Sequence, residues 1–416
     1  DPEGTGRLVL CGLNGGAPVR TLRRAPAFVL WPAMPGRLCT PMSFSILTKD
    51  SRSLARRGEL RTAHGSIQTP VFMPVGTQGT VKAMSNLELE ELGAEIILGN
   101  TYHLSLRPGA ELIEQAGGLH GFMNWQRPIL TDSGGYQVFS LGKMGKKTEE
   151  GMHFQSHLDG SHLFIGPVEA MRVQRQLASD IAMVFDECTA WPATHAEAKS
   201  SLQTTLRWAV QCSEQERAHG QLVFGIVQGG VYADLRSDAI KAISDMQFDG
   251  IAVGGVSVGE PESVMIEVLD ICADLLPKQV PHYLMGVGTP RQLVSGILRG
   301  IDMFDCVLPT RMARNGSAYT PTGTIPVKAA RYKDDFTPIQ EDCACYACQN
   351  HSKAYIRHLL HSGEILGARL MSIHNLHFYI DLMRQCRKHL EEGSFYEFAQ
   401  NVIELYPEAE GKLKES

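Results

Sequence analysis

The sequence has no apolar run close to 18 residues, the length that a membrane-spanning helix needs, so it predicts no transmembrane helix. It has no excess of positive charge either. The formal net charge of -6 argues against a uniformly basic surface but leaves room for a local patch that binds nucleic acid. Its ten cysteines form no disulfide framework, because most stand singly in apolar segments, as reduced thiols of a cytoplasmic protein do. Hydrophobic residues make up 43% and charged residues 20%, which is typical of a soluble globular protein.

Residues 1–42 differ from the rest of the chain. They hold five arginines, no lysine, many glycines and prolines, and no regular period. We interpret residues 1–42 as a disordered N-terminal extension, or as sequence upstream of the true start, in preference to an Arg-rich targeting segment. Three further regions are then predicted: a barrel over 43–333, a zinc-binding subdomain over 334–380, and C-terminal helices over 381–416 that pack on the barrel.

Eight short apolar runs occupy most of the predicted barrel region. Each is rich in Val, Ile, Leu, Met and Phe with few alternating polar residues, which is typical of parallel strands buried on both faces. Most of the stretches between them have helical spacing. The sequence therefore predicts an α/β fold, a (β/α)8 TIM barrel with a zinc-binding insertion near its C-terminus, whose chemistry lies where the strands end. The runs are 71–76, 95–100, 128–134, 180–187, 222–228, 250–256, 282–288 and 303–309.

An Asp159-Gly160 pair between two alternating stretches predicts a two-residue β-hairpin, inserted at the top of the barrel as a candidate lid. A second antiparallel hairpin is expected over 43–70, closing the barrel floor.

Two carboxylates end strands of the predicted barrel. Asp132 ends the third run and Asp305 ends the eighth, so both should point into the barrel mouth. An ionised carboxylate is costly there unless it is paired or functional. One of them could act as a nucleophile while the other handles a proton. The simpler interpretation of Asp132, that it caps the following helix, has equal weight on local grounds.

Further strand ends suit a flat ligand with several donors and acceptors on one edge, such as a purine-like base. Asp186, Gln228 and Gly255 offer a carboxylate, an amide and a backbone N–H. Beside Asp132, the run Ser133-Gly134-Gly135 allows close backbone approach, and Tyr136 offers a stacking face.

Cys343, Cys345 and Cys348 place three soft ligands within six residues. The fourth ligand must come from elsewhere, and His374 is favoured over His351, His358, His361 and His377. Four protein ligands leave no open position, so the expected zinc ion is structural.

A basic patch runs from Arg311 to Lys333, where five basic residues and no acidic one occur. From charge alone, a solvated face is the simpler interpretation.

Long motifs identify the family that the chain resembles. GNTYHLSLRPG, TDSGGYQVFS, FDEC, GIVQGG, AVGGVSVGE, YLMGVGTP and MFDCVLPTRMAR, together with the C-x-C-x-x-C trio, resemble tRNA-guanine transglycosylase from about residue 43 to residue 408. The resemblance implies a pentosyltransferase of queuosine biosynthesis, which exchanges the wobble guanine of tRNAs with G-U-N anticodons for a deazaguanine. It also implies a covalent RNA–enzyme intermediate, a (β/α)8 fold and a structural zinc ion.

The resemblance also implies roles for individual residues. Asp305 matches the nucleophile and Asp132 the general acid/base. Binding of the base falls to nine residues, and Tyr136 and Met285 among them sandwich the ring: Asp132, Ser133, Gly134, Gly135, Tyr136, Asp186, Gln228, Gly255 and Met285. Loops that contact the tRNA anticodon comprise Gly286, Val287, Gly288, Thr289, Pro290, Arg291 and Gln292, then Thr310, Arg311, Met312, Ala313 and Arg314. The zinc ligands match Cys343, Cys345, Cys348 and His374.

The branch of the family is expected to be the bacterial one. Val258 stands where the eukaryotic catalytic subunit has a glycine, and Cys188 also resembles the bacterial form. The implied incoming base is then 7-aminomethyl-7-deazaguanine, and the implied assembly is a cytoplasmic homodimer. Two alternatives are a non-catalytic RNA-binding paralogue, which should have lost one of the two acids, and a zinc-containing barrel hydrolase, which needs an open metal position.

Overall fold

A computed structural model of the chain describes residues 44–141 and 145–408, apart from the side chains of 139–141. The predicted N-terminal extension, 1–42, lies outside the described residues.

A closed barrel of eight parallel strands forms the centre of the fold. Each strand lies inside one of the eight apolar runs, so the predicted (β/α)8 barrel is confirmed. Around the barrel the strands neighbour one another in chain order, and the last one pairs with the first through Met303–Val71 and Cys306–Pro74. The barrel strands are β4 (Val71–Gly76), β5 (Ile97–Gly99), β6 (Ile129–Thr131), β10 (Ile181–Met183), β11 (Leu222–Val227), β12 (Gly250–Val253), β13 (His282–Leu284) and β14 (Met303–Cys306).

Helices follow the strands and surround the barrel. Their ends carry ordinary capping signals; Ser85 and Glu88, for example, form a capping box at the start of α1. In this part of the chain the helices are α1 (Asn86–Leu92), α2 (Thr101–Leu106), α3 (Ala110–Gln115), α4 (Gly118–Met123), α5 (Gly135–Leu141), α6 (Pro167–Leu177), α7 (His195–Ser213), α8 (Ala233–Asp245), α9 (Glu262–Ala273), α10 (Pro290–Leu298) and α11 (Leu308–Asn315).

A small antiparallel sheet covers the amino ends of the barrel strands. It consists of β1 (Phe44–Lys49), β2 (Arg56–Thr62) and β3 (Gly65–Thr69), one strand more than the expected hairpin. One buried ion pair and one histidine–carboxylate contact attach it. Arg56 reaches Asp302, just before β14, at 2.6 Å, and His64 Nδ1 lies 2.9 Å from an oxygen of Asp180, just before β10.

A second antiparallel sheet is inserted between α5 and α6. It comprises β7 (Lys146–Lys147), β8 (Met152–Gln155) and β9 (His162–Ile165). The predicted hairpin is therefore present, but its two-residue turn is wrong. Ser156 N donates to Ser161 O at 2.9 Å, so Asp159 and Gly160 belong to a four-residue loop. Tyr102, on α2 beside the barrel mouth, holds this loop through a 2.9 Å contact between its hydroxyl and His157 Nδ1.

The C-terminal region packs helices on the barrel. It contains β15 (Ser317–Thr320), β16 (Gly323–Pro326), a 3-10 turn (Ala330–Tyr332), α12 (Tyr346–Asn350), α13 (Lys353–His361), α14 (Ile365–Glu392) and α15 (Phe395–Leu405). The long α14 packs against α11 and β4. No helix in the described ranges is both long and apolar enough to cross a membrane.

Candidate active site

Asp132 follows β6 and is held by the neighbouring strand end. Its Oδ1 accepts a hydrogen bond from Thr101 N at 2.8 Å, and its Oδ2 accepts one from Asn100 Nδ2 at 2.5 Å. Burial raises the pKa of the Asp132 carboxyl to about 7; the Thr101 N–H opposes the shift, and the charge of Asp305 adds to it. Near neutral pH this group therefore exists in both protonation states, as a general acid/base requires.

Asp305 lies within β14, at the closing seam of the barrel. Its Oδ1 accepts hydrogen bonds from the Tyr283 hydroxyl at 2.6 Å and from Gly286 N at 2.8 Å. Burial raises the pKa of Asp305, and these two donors oppose the shift. Burial, followed by the charge of Asp305, holds the pKa of Tyr283 well above 10, so its hydroxyl remains a donor. Because Asp305 affects the pKa of Asp132, the two carboxylates lie within electrostatic reach of each other.

Asp186 and Gln228 form a buried polar pair at the ends of β10 and β11. Gln228 Nε2 donates to Asp186 Oδ2 at 2.7 Å. Burial raises the pKa of Asp186 to about 6, although Gln228 and then Ser133 lower it. Within the described residues Gln228 Oε1 is buried and has no hydrogen-bond partner. A buried acceptor without a partner is costly, so the amide retains capacity for a ligand.

Glycines bring the backbone close to this pair. A Cβ on Gly255 would lie 2.3 Å from Gln228 Oε1, and one on Gly135 would lie 2.9 Å from the backbone oxygen of Asp186. Gly134 and Gly255 have φ of +79° and +66°, a region that favours glycine. Side chains larger than hydrogen are thus excluded at Gly135 and Gly255. Tyr136 is exposed and Met285 is half-buried, and both side chains are of a kind that could cover a flat ring.

A narrow cleft, partly open to solvent, adjoins Gly255. Trp191, Tyr232 and Val258 are among its lining residues. Glu260 closes the turn beside them, since its carboxylate accepts hydrogen bonds from the backbone N–H groups of Ser257 and Val258.

The two predicted RNA-contacting segments lie beside Asp305 but differ in exposure. Gly286, Arg311 and Arg314 are exposed, and Thr289, Arg291, Gln292 and Met312 are half-buried. The Arg291 guanidinium is bound to Glu262 at 2.5 Å and to Ile403 O at 3.1 Å. The remaining members are buried and would reach a partner only through their backbone: Val287, Gly288, Pro290, Thr310 and Ala313.

Cys343, Cys345, Cys348 and His374 form a buried cluster that could bind a metal ion. The three Sγ atoms lie 3.8, 3.7 and 3.3 Å from His374 Nδ1. Tetrahedral zinc with bonds of about 2.0–2.3 Å sets its ligands about 3.5–3.8 Å apart, so the donor set fits. His374 Nε2 lies 2.8 Å from Tyr319 O, which fixes the tautomer that turns Nδ1 toward the thiols.

His64, His120 and Asp180 are a second group of possible ligands, at the barrel floor. The two imidazole rings stack at 3.5 Å and 15°, so their in-plane lone pairs run nearly parallel instead of converging on one ion. Asp180 also accepts hydrogen bonds from the backbone N–H groups of His64 and Ile129, at 3.0 and 2.9 Å. This arrangement is a hydrogen-bonded lock between the N-terminal sheet and the barrel.

Several functional contacts were not predicted from the sequence. Tyr283 is part of an apolar strand run and Thr101 of a helix start, and nothing local marks either as a partner of an acid. Asn100 was recognised as a polar residue at a strand end, but its hydrogen bond to Asp132 was not predicted.

Comparisons with known proteins give a consistent result. The family model described as Queuine tRNA-ribosyltransferase matches residues 50–408. Proteins named queuine tRNA-ribosyltransferase from Halothermothrix orenii and from Caldanaerobacter subterraneus subsp. tengcongensis are each 52% identical to this chain, over 88% of it and 98% of their own length. The one from Francisella tularensis subsp. novicida is 52% identical over 88% of this chain and 100% of its own.

Proposed function

The chain belongs to the queuine tRNA-ribosyltransferase family, and from this premise we propose that it exchanges the wobble guanine of tRNAs with a G-U-N anticodon for 7-aminomethyl-7-deazaguanine. The observation that carries the proposal is the pair of half-buried carboxylates, Asp132 and Asp305, at the mouth of one barrel, where burial raises the pKa of Asp132 and the charge of Asp305 adds to the shift. Two carboxylates with different partners can divide the work of a nucleophile and a proton carrier.

Asp305 is the nucleophile in this proposal. Its carboxylate attacks the anomeric carbon of the ribose, the glycosidic bond breaks, and guanine leaves with the bonding electrons. Tyr283 and Gly286 both donate to Oδ1 of Asp305, so they fix the carboxylate and leave Oδ2 as the oxygen for attack. The product of this step is a covalent RNA–enzyme intermediate.

Asp132 moves the proton. In its protonated form it can donate to the departing guanine, and as a carboxylate it can remove the proton from the incoming base, which then attacks the same anomeric carbon and frees Asp305. A pKa of about 7 suits both directions of transfer. Asn100 and Thr101 stabilise the ionised form between the two transfers.

Asp186, Gln228 and Gly255 recognise the base edge. With a pKa of about 6, Asp186 is mostly ionised at neutral pH and accepts from the ring N–H and the exocyclic amine. The Gly255 N–H and the second hydrogen of Gln228 Nε2 then suit the oxo group. Tyr136 and Met285 cover the two faces of the ring, while Ser133, Gly134 and Gly135 let the backbone approach it.

The incoming base is limited by Val258, which lines the cleft beside Gly255. A substituent on the deazaguanine ring would extend toward this side chain. A small aminomethyl group fits beside valine better than a bulky cyclopentenediol, which supports the bacterial type of substrate.

The anticodon loop would bind beside Asp305. Arg311 and Arg314 are the exposed cations there, placed on one face of α11, and are suited to phosphates and base edges. The other residues of the two segments shape this surface: Gly286, Val287, Gly288, Thr289, Pro290, Arg291, Gln292, Thr310, Met312 and Ala313.

The Cys343, Cys345, Cys348 and His374 cluster holds a structural Zn²⁺ ion in this proposal, because four protein ligands leave no position for an activated water. Free cysteines elsewhere in the described residues, such as Cys212 and Cys386, are compatible with a reducing cytoplasmic location. Metal analysis of the purified protein should give one zinc per chain, and a chain free of zinc contradicts the assignment.

A homodimer is the assembly that we propose. Phe336 and Ile365 are 80% and 81% exposed, and Tyr346 is 57% exposed close to the cysteine cluster. His351 stacks on Tyr355 at 5.2 Å and meets Tyr346 edge-on at 5.7 Å, which gives a preformed aromatic surface. Aromatic residues of this kind are enriched in protein interfaces.

The two alternatives lack support in the site. A non-catalytic paralogue does not need two acids with raised pKa values in one cavity. A zinc hydrolase needs an open metal position at the strand ends, whereas the cysteine cluster comes from α12, the segment before it and α14.

The direct test is incubation with a G-U-N anticodon tRNA and labelled guanine. We expect incorporation of the label, and chase of the label by 7-aminomethyl-7-deazaguanine. A G-to-A change at the wobble position is the control. No incorporation into the G-U-N tRNA contradicts the proposed function.

A further inference from the structure

Arg236 is a fully buried cation at the first turn of α8, beneath the base-recognition edge. Other deeply placed arginines in the described ranges pair with carboxylates, as Arg56 does with Asp302 and Arg387 with Glu95. Arg236 instead binds backbone oxygens. A buried guanidinium without a carboxylate partner is costly, so its position needs a reason beyond packing.

The partners of Arg236 come from two neighbouring strand ends. Nε donates to Gly230 O at 2.8 Å, and Nη1 donates to Val227 O at 3.0 Å and to Gly254 O at 2.8 Å. Nη2 contacts Gly255 O at 3.5 Å. One side chain therefore joins the turn after β11, which carries Gln228, to the turn after β12, which carries Gly255.

The bond to Gly254 O fixes the direction of the next N–H. In a trans peptide the C=O and N–H point in opposite directions, so the Gly255 N–H points away from the guanidinium. It faces Cys188, two residues beyond Asp186. Burial raises the pKa of the Cys188 thiol to about 12, and a hydrogen bond from the Gly255 N–H opposes this shift. The N–H thus points toward the segment after β10 that carries both Asp186 and Cys188.

Charge adds to this geometry. An arginine remains charged in proteins, and a charged donor on a peptide oxygen polarises the whole peptide, which strengthens its N–H as a donor. We propose that Arg236 is a positioning residue for base recognition, which aligns the Gln228 and Gly255 turns and polarises the Gly254–Gly255 peptide toward an oxo group of the base. This inference rests on the proposed function of the same site.

The experiment compares guanine, which carries the oxo group, with 2-aminopurine, which has a hydrogen there. Because 2-aminopurine also lacks the ring N–H that would donate to Asp186, each variant is judged by how much the ratio of the two affinities changes from that of the wild type. Affinities of both bases are measured by calorimetry for the wild type, Arg236→Gln and Arg236→Lys, together with tRNA affinity and thermal unfolding. Arg387→Gln is the control, because Arg387 is half-buried and also binds backbone oxygens, those of Gln68 and Pro70, away from the site.

We expect Arg236→Gln to weaken guanine binding by about tenfold or more, the effect of one charge-assisted hydrogen bond, with a much smaller change for 2-aminopurine and none for tRNA. Arg236→Lys keeps the charge and should fall between. Arg387→Gln should lower the unfolding temperature and leave the ratio of guanine to 2-aminopurine affinity unchanged.

Equal losses for both bases would overturn the proposal, because they indicate a packing role. If Arg236→Gln does not fold, the lysine variant decides, since a wild-type affinity ratio in it also overturns the proposal. Exchange of labelled guanine by the wild type distinguishes failure of the proposed function from failure of this inference. Without exchange, both fail. If the wild type exchanges guanine but the affinity ratios of the variants are unchanged, only the role of Arg236 is contradicted.

Discussion

Carboxylates at the two ends of the barrel have opposite surroundings. At the carboxyl ends of the strands, Asp132, Asp186 and Asp305 are bound by neutral donors, and burial raises the pKa of each. At the amino ends, Asp302 is paired with the Arg56 guanidinium and Asp180 lies between two histidines. Burial would raise the pKa of Asp180, but hydrogen bonds from His120 and His64 and their charges hold it well below its usual range.

The difference separates stability from chemistry within one fold. A carboxylate that must take and release protons cannot have a strong cationic partner, because such a partner would keep it ionised. The floor carboxylates have no such constraint and are free to anchor the N-terminal sheet. In (β/α)8 barrels the strand carboxyl ends carry the active site and the opposite face contributes to stability, a division that agrees with the contrast between these two groups of carboxylates.

Among substitutions at the two ends of the barrel, loss of Asp305 should have the largest effect on activity. Asp305→Ala removes the proposed nucleophile, so we expect guanine exchange to fall by about 10⁴-fold or more, and the denaturation-resistant RNA adduct to vanish from gels. Thermal unfolding should be little changed. An adduct that survives in Asp305→Ala would contradict the nucleophile assignment, and Asp305→Asn tests whether charge alone is needed.

Three residues earlier, Asp302→Ala should have the reverse profile. It leaves the Arg56 guanidinium buried without its partner, which costs about 3–5 kcal/mol of unfolding free energy, measured by denaturant titration. Exchange per folded molecule should remain near that of the wild type.

A double variant, Arg56→Met with Asp302→Leu, is the control for this pair. It removes both charges and should regain most of the stability. Loss of exchange in Asp302→Ala at a temperature where the protein is still folded would show that the two ends are not independent.

The same substitution should change stability in opposite directions at the two ends. Asp132 has a raised pKa of about 7 when folded, so it binds its proton more tightly in the folded state, and its ionisation lowers stability as pH rises from about 4 to 7. Asp132→Asn should therefore raise the unfolding temperature by a few degrees at pH 8, retain base binding, and lower turnover by about 10²–10⁴-fold.

Asp180 has a lowered pKa, so its contribution is present above its ordinary pKa and is lost as pH falls through the lower folded value. Asp180→Asn should cost about 1–3 kcal/mol at pH 7 and much less in strong acid, with turnover unchanged. Unfolding curves of both variants between pH 3 and 8 test the contrast. A stabilised Asp180→Asn variant, or a destabilised Asp132→Asn variant at pH 8, would contradict the predicted difference in stability between the two ends.

Much of the barrel and the identity of its polar strand ends could be predicted from the sequence, because strands buried on both faces leave a continuous apolar signal that stops where chemistry begins. The close spacing of Cys343, Cys345 and Cys348 likewise predicted three metal ligands from one short segment. Partners that depend on tertiary contact could not be predicted. Tyr283 resembles any strand aromatic until β13 and β14 pair, and nothing local indicates that Arg291 binds Glu262. The length of the four-residue loop, 157–160, could not be predicted for the same reason, since register is set by pairing.

The smallest expected effect concerns selectivity at the top of the barrel. Val258 lines the cleft beside Gly255 and is half-buried, so Val258→Gly should enlarge the cleft without disturbing the core. We expect use of queuine to rise by about tenfold relative to 7-aminomethyl-7-deazaguanine, since removal of a few methyl groups from a pocket wall is worth about 1–3 kcal/mol. The measurement is the ratio of kcat/KM for the two bases on one tRNA. Val256→Gly is the matched control, because Val256 lines the same cleft but is buried, and it should cost stability instead. A ratio that is unchanged in Val258→Gly would mean that another residue limits the size of the substituent. The contrast between the two ends of the barrel would then apply to their carboxylates alone.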